Sequence, residues 1–211
     1  MKRLLAKFID HIICFFASFI TGVRPQQLTE NSVPTVYYAN HHSHGDFILV
    51  WISLPQHLRL KTRPVAGADY WQKGAIRRFI ANAVFNVLLV ERNSDNPQLA
   101  IENMANRLST GENLIIFPEG TRNLSEEVLQ PFKSGIYHLA KQQANIQFVP
   151  VWIDNMKQVL PKGAILPIPL MCQVRFGEAI SLQEGEEKAD FIERTRQALL
   201  ALSPTHKTHK E

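Results

Sequence analysis

Apolar and polar positions along this chain repeat in two periods. The first stretch, residues 1–20 (MKRLLAKFIDHIICFFASFI), repeats at the helical period. On a wheel of about 100° per residue, Leu4, Leu5, Phe8, Ile9, Ile12, Ile13, Phe15, Phe16, Phe19 and Ile20 fill one half. Lys7, Asp10, His11, Cys14, Ala17 and Ser18 fill the other. A membrane-spanning helix is apolar all round for about 20 residues, and Lys7, Asp10 and His11 interrupt too early for that. A secretory leader needs an unbroken apolar centre and a small-residue cleavage site, and neither is clear. Two placements remain: a helix lying in a membrane interface, or one docked on its own domain. The half-wheel division and the phenylalanine content favour the interface. Gly22 and Pro25 end the helix, and residues 26–32 form a polar linker.

Beyond the linker, short β-prone runs alternate with helical stretches. Strands are predicted at 35–39, 63–68, 87–91, 113–117, 147–153 and 172–176. Helices are predicted at 47–54, 73–86, 97–108, 132–143 and 186–202. This alternation predicts an α/β fold, a single layered domain with a mainly parallel sheet flanked by helices. The organisation expected is an interface helix over 1–24, a domain over 25–203 and a polar, disordered tail over 204–211. The polar motifs follow apolar strands, and in such folds ligands bind at the carboxyl ends of strands.

Composition changes the picture little. With 211 residues and 45% hydrophobic content the chain can bury a real core. Its 23 basic and 19 acidic residues leave a net +4. That is too weak and too dispersed to argue for nucleic acid, but it suits an anionic membrane surface or phosphate ligands. Cys14 and Cys172 lie far apart in apolar stretches, as buried thiols do, with no disulfide framework or zinc spacing.

The candidate chemistry sits in two clusters. The first is Asn40-His41-His42-Ser43-His44-Gly45-Asp46. Acyl transfer to an alcohol needs a base near neutral pKa, which histidine supplies. A carboxylate on the other ring nitrogen fixes the tautomer and stabilises the imidazolium. His41 and Asp46 suit those roles. Along one helix they would sit about 140° apart, so they meet only if His41 is in the loop and Asp46 in the first helical turn. The same residues also suit a plain helix-capping loop. His42-x-His44-x-Asp46 further resembles the metal-binding run of metallo-β-lactamase-like hydrolases, but Phe47 replaces its final histidine, and no other ligand set stands at suitable spacing. The second cluster is Phe117-Pro118-Glu119-Gly120-Thr121-Arg122-Asn123. Gly120 permits a tight turn, Arg122 offers a planar fork for a phosphate, and Glu119 accepts from a hydroxyl or holds Arg122. Lys133, before a helix, is a further phosphate candidate; Arg92 is a third basic group at a strand end and, alone, is more often a solvated charge.

Taken together and in order, these blocks resemble the glycerolipid acyltransferase family. Asn40 to Asp46 matches its N-H-x-S-x-x-D block, and Leu89-Val90-Glu91-Arg92 its arginine block. Phe117 to Arg122 reproduces F-P-E-G-T-R, Phe132 to Gly135 F-K-x-G, and Val149-Pro150-Val151 the final block. The likeness covers about residues 35–177. It implies His41 as base and Asp46 as its partner. It implies Arg92, Glu119, Gly120, Thr121, Arg122 and Lys133 around the acceptor, with Val149 to Val151 shaping the acyl pocket. Acyl-CoA or acyl carrier protein is the implied donor and 1-acylglycerol-3-phosphate the implied acceptor, giving phosphatidic acid on the cytoplasmic face of a membrane. The resemblance implies no cofactor, no metal and no acyl-enzyme. His44-Gly45 stands where many members carry an aromatic and an aliphatic residue, which leaves the exact lysolipid acceptor open. The alternatives are the same chemistry on another lysolipid, a metal-dependent hydrolase, or a lipid-binding module without catalysis.

Overall fold

Thr35–Ala39 (β1) is buried at every position, as a strand between two helical layers must be. Its neighbours show the same need. Asn113–Ile116 (β4) is buried throughout and Gln147–Asp154 (β5) at all but its ends. In the computed structural model of the chain, residues 2–28, 32–43, 45–91, 96–154 and 171–204 are described. Among them β1, Thr62–Gly67 (β2), Leu88–Val90 (β3), β4, β5 and Gln173–Phe176 (β6) form one six-stranded sheet in the order β3-β2-β4-β1-β5-β6. All pairings are parallel except β5 with β6.

Strand side chains alternate between two cores. Tyr37, Ala39, Ile115, Val149 and Val151 point into one core. Val36, Tyr38, Leu114, Ile116 and Phe148 point into the other. The first core is covered by Lys2–Thr21 (α1), Asp46–Ser53 (α2) and Gln56–Arg59 (α3). The second is covered by Pro97–Ser109 (α6), Gly135–Gln142 (α7) and Lys188–Leu200 (α8). Between β2 and β3 run Ala68–Trp71 (α4) and Ala75–Phe79 (α5).

Three expectations are corrected. The single helix expected over 73–86 is broken. Gly74 sits at φ 88°, α5 follows, and residues 80–84 wind as a π-helix ending near Asn86 at φ 52°. Such widened turns let the chain change direction without losing its hydrogen bonds. The helix expected over 132–143 begins only at Gly135, because the Lys133 amide donates to the Pro118 carbonyl at 2.8 Å and holds 131–134 as loop.

The third correction concerns α1, where interface helix and docked helix had been set as alternatives. Both hold. Ile13, Cys14, Ala17 and Ile20 pack on the first core, with Ala6 buried. Leu4, Phe8, Phe15, Phe16 and Phe19 stay more than half exposed. Cys14 and Ala17, assigned to the polar half of the wheel, are docking residues, because a close helix-to-domain contact favours small side chains. The expected tail lies outside the described residues from position 205 onward.

Candidate active site

Parallel neighbours β1 and β4 are in register with Tyr38 opposite Ile116. Three residues beyond each pair, His41 and Glu119 leave the sheet side by side at its carboxyl end. The two polar clusters, 78 residues apart in sequence, therefore meet in one place.

His41 sits in the loop and Asp46 in the first turn of α2, as their spacing requires. Nδ1 of His41 lies 2.9 Å from Oδ2 of Asp46. The same oxygen accepts the amides of His42 at 2.6 Å and Ser43 at 2.8 Å. An ionised carboxylate can only accept, so Nδ1 carries the proton and Nε2 keeps its lone pair. The ring stacks on Phe117 with centroids 4.3 Å apart. Asp46 is buried.

The His41 peptide is held as well as its ring. Its amide donates to Glu119 Oε1 at 2.7 Å, and its carbonyl accepts the Asn123 amide at 2.6 Å. The other oxygen of Glu119 accepts the Gln130 amide at 2.9 Å. Burial pushes the Glu119 carboxyl above the ordinary range, and the two amide bonds pull it back part of the way.

An apolar cavity of about 230 Å³ opens beside His41. Val65, Trp71, Met104, Ile116, Ile136 and Leu139 form much of its wall, with Lys133 and Gly120 near the dyad. Gly120 has φ 74°, a conformation that favours glycine, and a Cβ there would come within 3.1 Å of the Lys133 side chain.

The structure places the remaining candidates differently. Arg122 is half-buried, and neither its guanidinium nor the Lys133 ammonium has a side-chain partner among the described residues. Thr121 is exposed. Glu119 is buried, both its oxygens accept amides, and it does not line the cavity. Val149 to Val151 do not line it either. They sit in β5, across β1 from β4 and the cavity. Arg92 and His44 lie outside the described residues. Among the described residues no group of three or more metal-ligating side chains converges. Phe117 and Asn123 carried no assigned role in the sequence; their positions just beyond β4 were the available signal.

The sequence profile described as Acyltransferase matches residues 21–154. A curated relative, the 1-acyl-sn-glycerol-3-phosphate acyltransferase of Saccharomyces cerevisiae, is 35% identical over 91 residues. That stretch is 41% of this chain and 29% of the yeast protein. The crystal structure of the 1-acyl-sn-glycerophosphate (LPA) acyltransferase PlsC from Thermotoga maritima superposes with a TM-score of 0.68. It is 18% identical, and the alignment covers 98% of this chain and 82% of that one. This second likeness is one of fold.

Proposed function

Since the chain belongs to the acyltransferase family, we propose that it moves a fatty acyl group from acyl-CoA or acyl carrier protein to the free hydroxyl of 1-acylglycerol-3-phosphate, giving phosphatidic acid. The observation that carries this is the His41–Asp46 pair, with Nε2 unpartnered among the described residues, at the mouth of an apolar cavity. The name of the yeast relative supports the choice of acceptor.

In the proposed step the acceptor hydroxyl attacks the thioester carbonyl while Nε2 of His41 takes its proton. Asp46 stabilises the imidazolium that forms. The tetrahedral intermediate collapses, the C–S bond breaks, and His41 returns the proton to the departing thiolate. No acyl-enzyme forms, and neither metal nor cofactor enters this step. Arg122 and Lys133 are proposed to hold the acceptor phosphate, because a guanidinium and an ammonium without a side-chain partner among the described residues suit a dianionic headgroup, and Lys133 lines the cavity together with His41. Arg92 is proposed as a third ligand on sequence alone. The cavity is proposed to take the donor's acyl chain.

The exposed phenylalanine face of α1 supports placement on a membrane surface, where lipid acceptor and product reside. We place the enzyme on the cytoplasmic side, where soluble thioester carriers are found. The test is acyl transfer by the purified full chain in vesicles, with both donors, against a panel of lysolipids. Lysophosphatidic acid should be the preferred acceptor. Preference for a choline-headed or unphosphorylated lysolipid would overturn the assignment.

A further inference from the structure

We propose that Glu119 is a positioning residue for the base. Its buried carboxylate ties the peptide of His41 to the loop after β4 and so fixes where Nε2 points; it does not hold the acceptor. This inference rests on His41 being the base of the proposed transfer.

Three observations carry it. Both carboxylate oxygens are already used, Oε1 by the His41 amide at 2.7 Å and Oε2 by the Gln130 amide at 2.9 Å. The residue is 1% exposed, so little of it is open to a ligand. Its negative charge would also repel a phosphate. A buried carboxylate is costly unless it is hydrogen-bonded, and here the bonds it makes run to the catalytic loop on one side and the loop after β4 on the other.

The opposite edge of the same peptide is held in parallel. The Asn123 amide donates to the His41 carbonyl. The Asn123 side chain fixes its own loop, accepting from the Ser125 amide at 3.0 Å and donating to the Glu127 carbonyl at 2.8 Å. Phe117 supports the ring face and Asp46 holds Nδ1. With backbone and ring both held, the remaining nitrogen has one direction.

Glutamine cannot replace this carboxylate. It has one acceptor oxygen, and its NH₂ would face the second amide donor to hydrogen, leaving a buried N–H unpaired. Aspartate keeps the charge but is shorter by one methylene and cannot span both amides.

The test compares Glu119→Gln, Glu119→Asp and Arg122→Ala in the full chain, using lysophosphatidic acid vesicles. Glu119→Gln and Glu119→Asp should lower kcat by about 10- to 100-fold, the effect of displacing a reacting group by about 1 Å. Acceptor KM should stay near its parent value, and so should the preference for phosphorylated over unphosphorylated acceptor. Arg122→Ala should do the reverse. Unchanged kcat, or a raised KM with loss of that preference in the Glu119 variants, would overturn the proposal.

A second measurement needs no variant. On titrating the wild-type chain with glycerol 3-phosphate, the Arg122 guanidinium NMR signals should move while the Glu119 carboxyl carbon stays still. A Glu119 shift comparable to that of Arg122 overturns the role. If the wild-type chain transferred nothing to any lysolipid, the proposed activity would fail instead, and the two carboxyl-to-amide bonds would still be read from the His41 and Gln130 amide shifts.

Discussion

His41 offers a free Nε2 because every other part of the residue is held, by Asp46, Glu119, Asn123 and Phe117. His41→Ala should therefore cut kcat by about 10²- to 10⁴-fold, the usual worth of a general base, with little change in acceptor KM. His42→Ala should be much milder, since its ring makes only a long 3.4 Å approach to the Asn123 carbonyl. Equal losses in both, measured as initial rates, would argue for a shared role and against a single base. Arg122→Ala should lower kcat/KM by a factor matching about 1.5–3 kcal/mol for a charge-assisted bond. Arg122→Lys should rescue poorly, because an ammonium lacks the planar fork. Glu119 adds a pH signature of its own. Burial raises its folded pKa above the unfolded value of about 4.3. The folded state thus holds this proton more tightly, and its contribution to stability is present in acid and lost as pH rises through the folded pKa. Melting temperatures taken across that range should fall less steeply with rising pH in Glu119→Gln than in the parent. A parallel course in both would contradict the burial argument. At this scale the pairing of His41 with Asp46 was legible from the sequence, but the partners of Glu119 were not. A glutamate three residues before an arginine reads as an ion-pair or substrate ligand. Only the β1–β4 register shows that it faces the His41 amide.

Among the elements, α1 is the one whose sequence supports two surfaces at once. Its small residues, Ala6, Cys14 and Ala17, face the domain, while its phenylalanines face outward. A hydropathy wheel puts Ile13 and Ile20 with the phenylalanines and Cys14 and Ala17 with the polar set, and so misses the division. Burial pushes the Cys14 thiol up to about 11, and Asp10 beside it adds to the shift. Alkylation at neutral pH should then be slow while α1 is docked, and fast once it is released. Phe15→Asp with Phe16→Asp should abolish binding to anionic vesicles in a flotation assay, yet leave the melting transition and Cys14 protection intact. Removal of residues 1–22 should differ. It strips Ile13, Ala17 and Ile20 from the first core and should lower the melting temperature as well. Intact vesicle binding by the double variant would move the membrane contact elsewhere. The strands were the most legible elements, because buried β-branched and aromatic runs have few other uses. The 73–86 stretch was the least legible, since nothing in its period announces that Gly74 breaks it or that 80–84 widens into a π-turn.

For the molecule as a whole, strand order decides which residues become neighbours. β4 lies between β1 and β2, so the His41 loop and the loop after β4 share one rim, and the cavity opens between β2, β4, α6 and α7. Alternation of strands and helices foretold a parallel sheet but not this order. That order is why the cavity wall holds Met104 and Leu139 and not Val149 to Val151, which lie one strand further away. The order also yields a test of what the cavity holds. Met104 is on α6, at the cavity wall, and almost fully buried. A thioether is adaptable and fills irregular space, so changing its size should change the depth available to an acyl chain. Met104→Ala opens the wall and should shift donor preference toward longer chains in a competition assay with mixed acyl thioesters. Met104→Phe narrows it and should favour shorter ones. The truncation carries a stability cost of about 2–5 kcal/mol, so the comparison belongs well below its melting temperature. Neither variant should alter the preference among acceptor headgroups, because Arg122 and Lys133 are untouched. A chain-length profile unmoved in both directions would mean that the acyl chain lies along another surface, most simply the exposed phenylalanine face of α1.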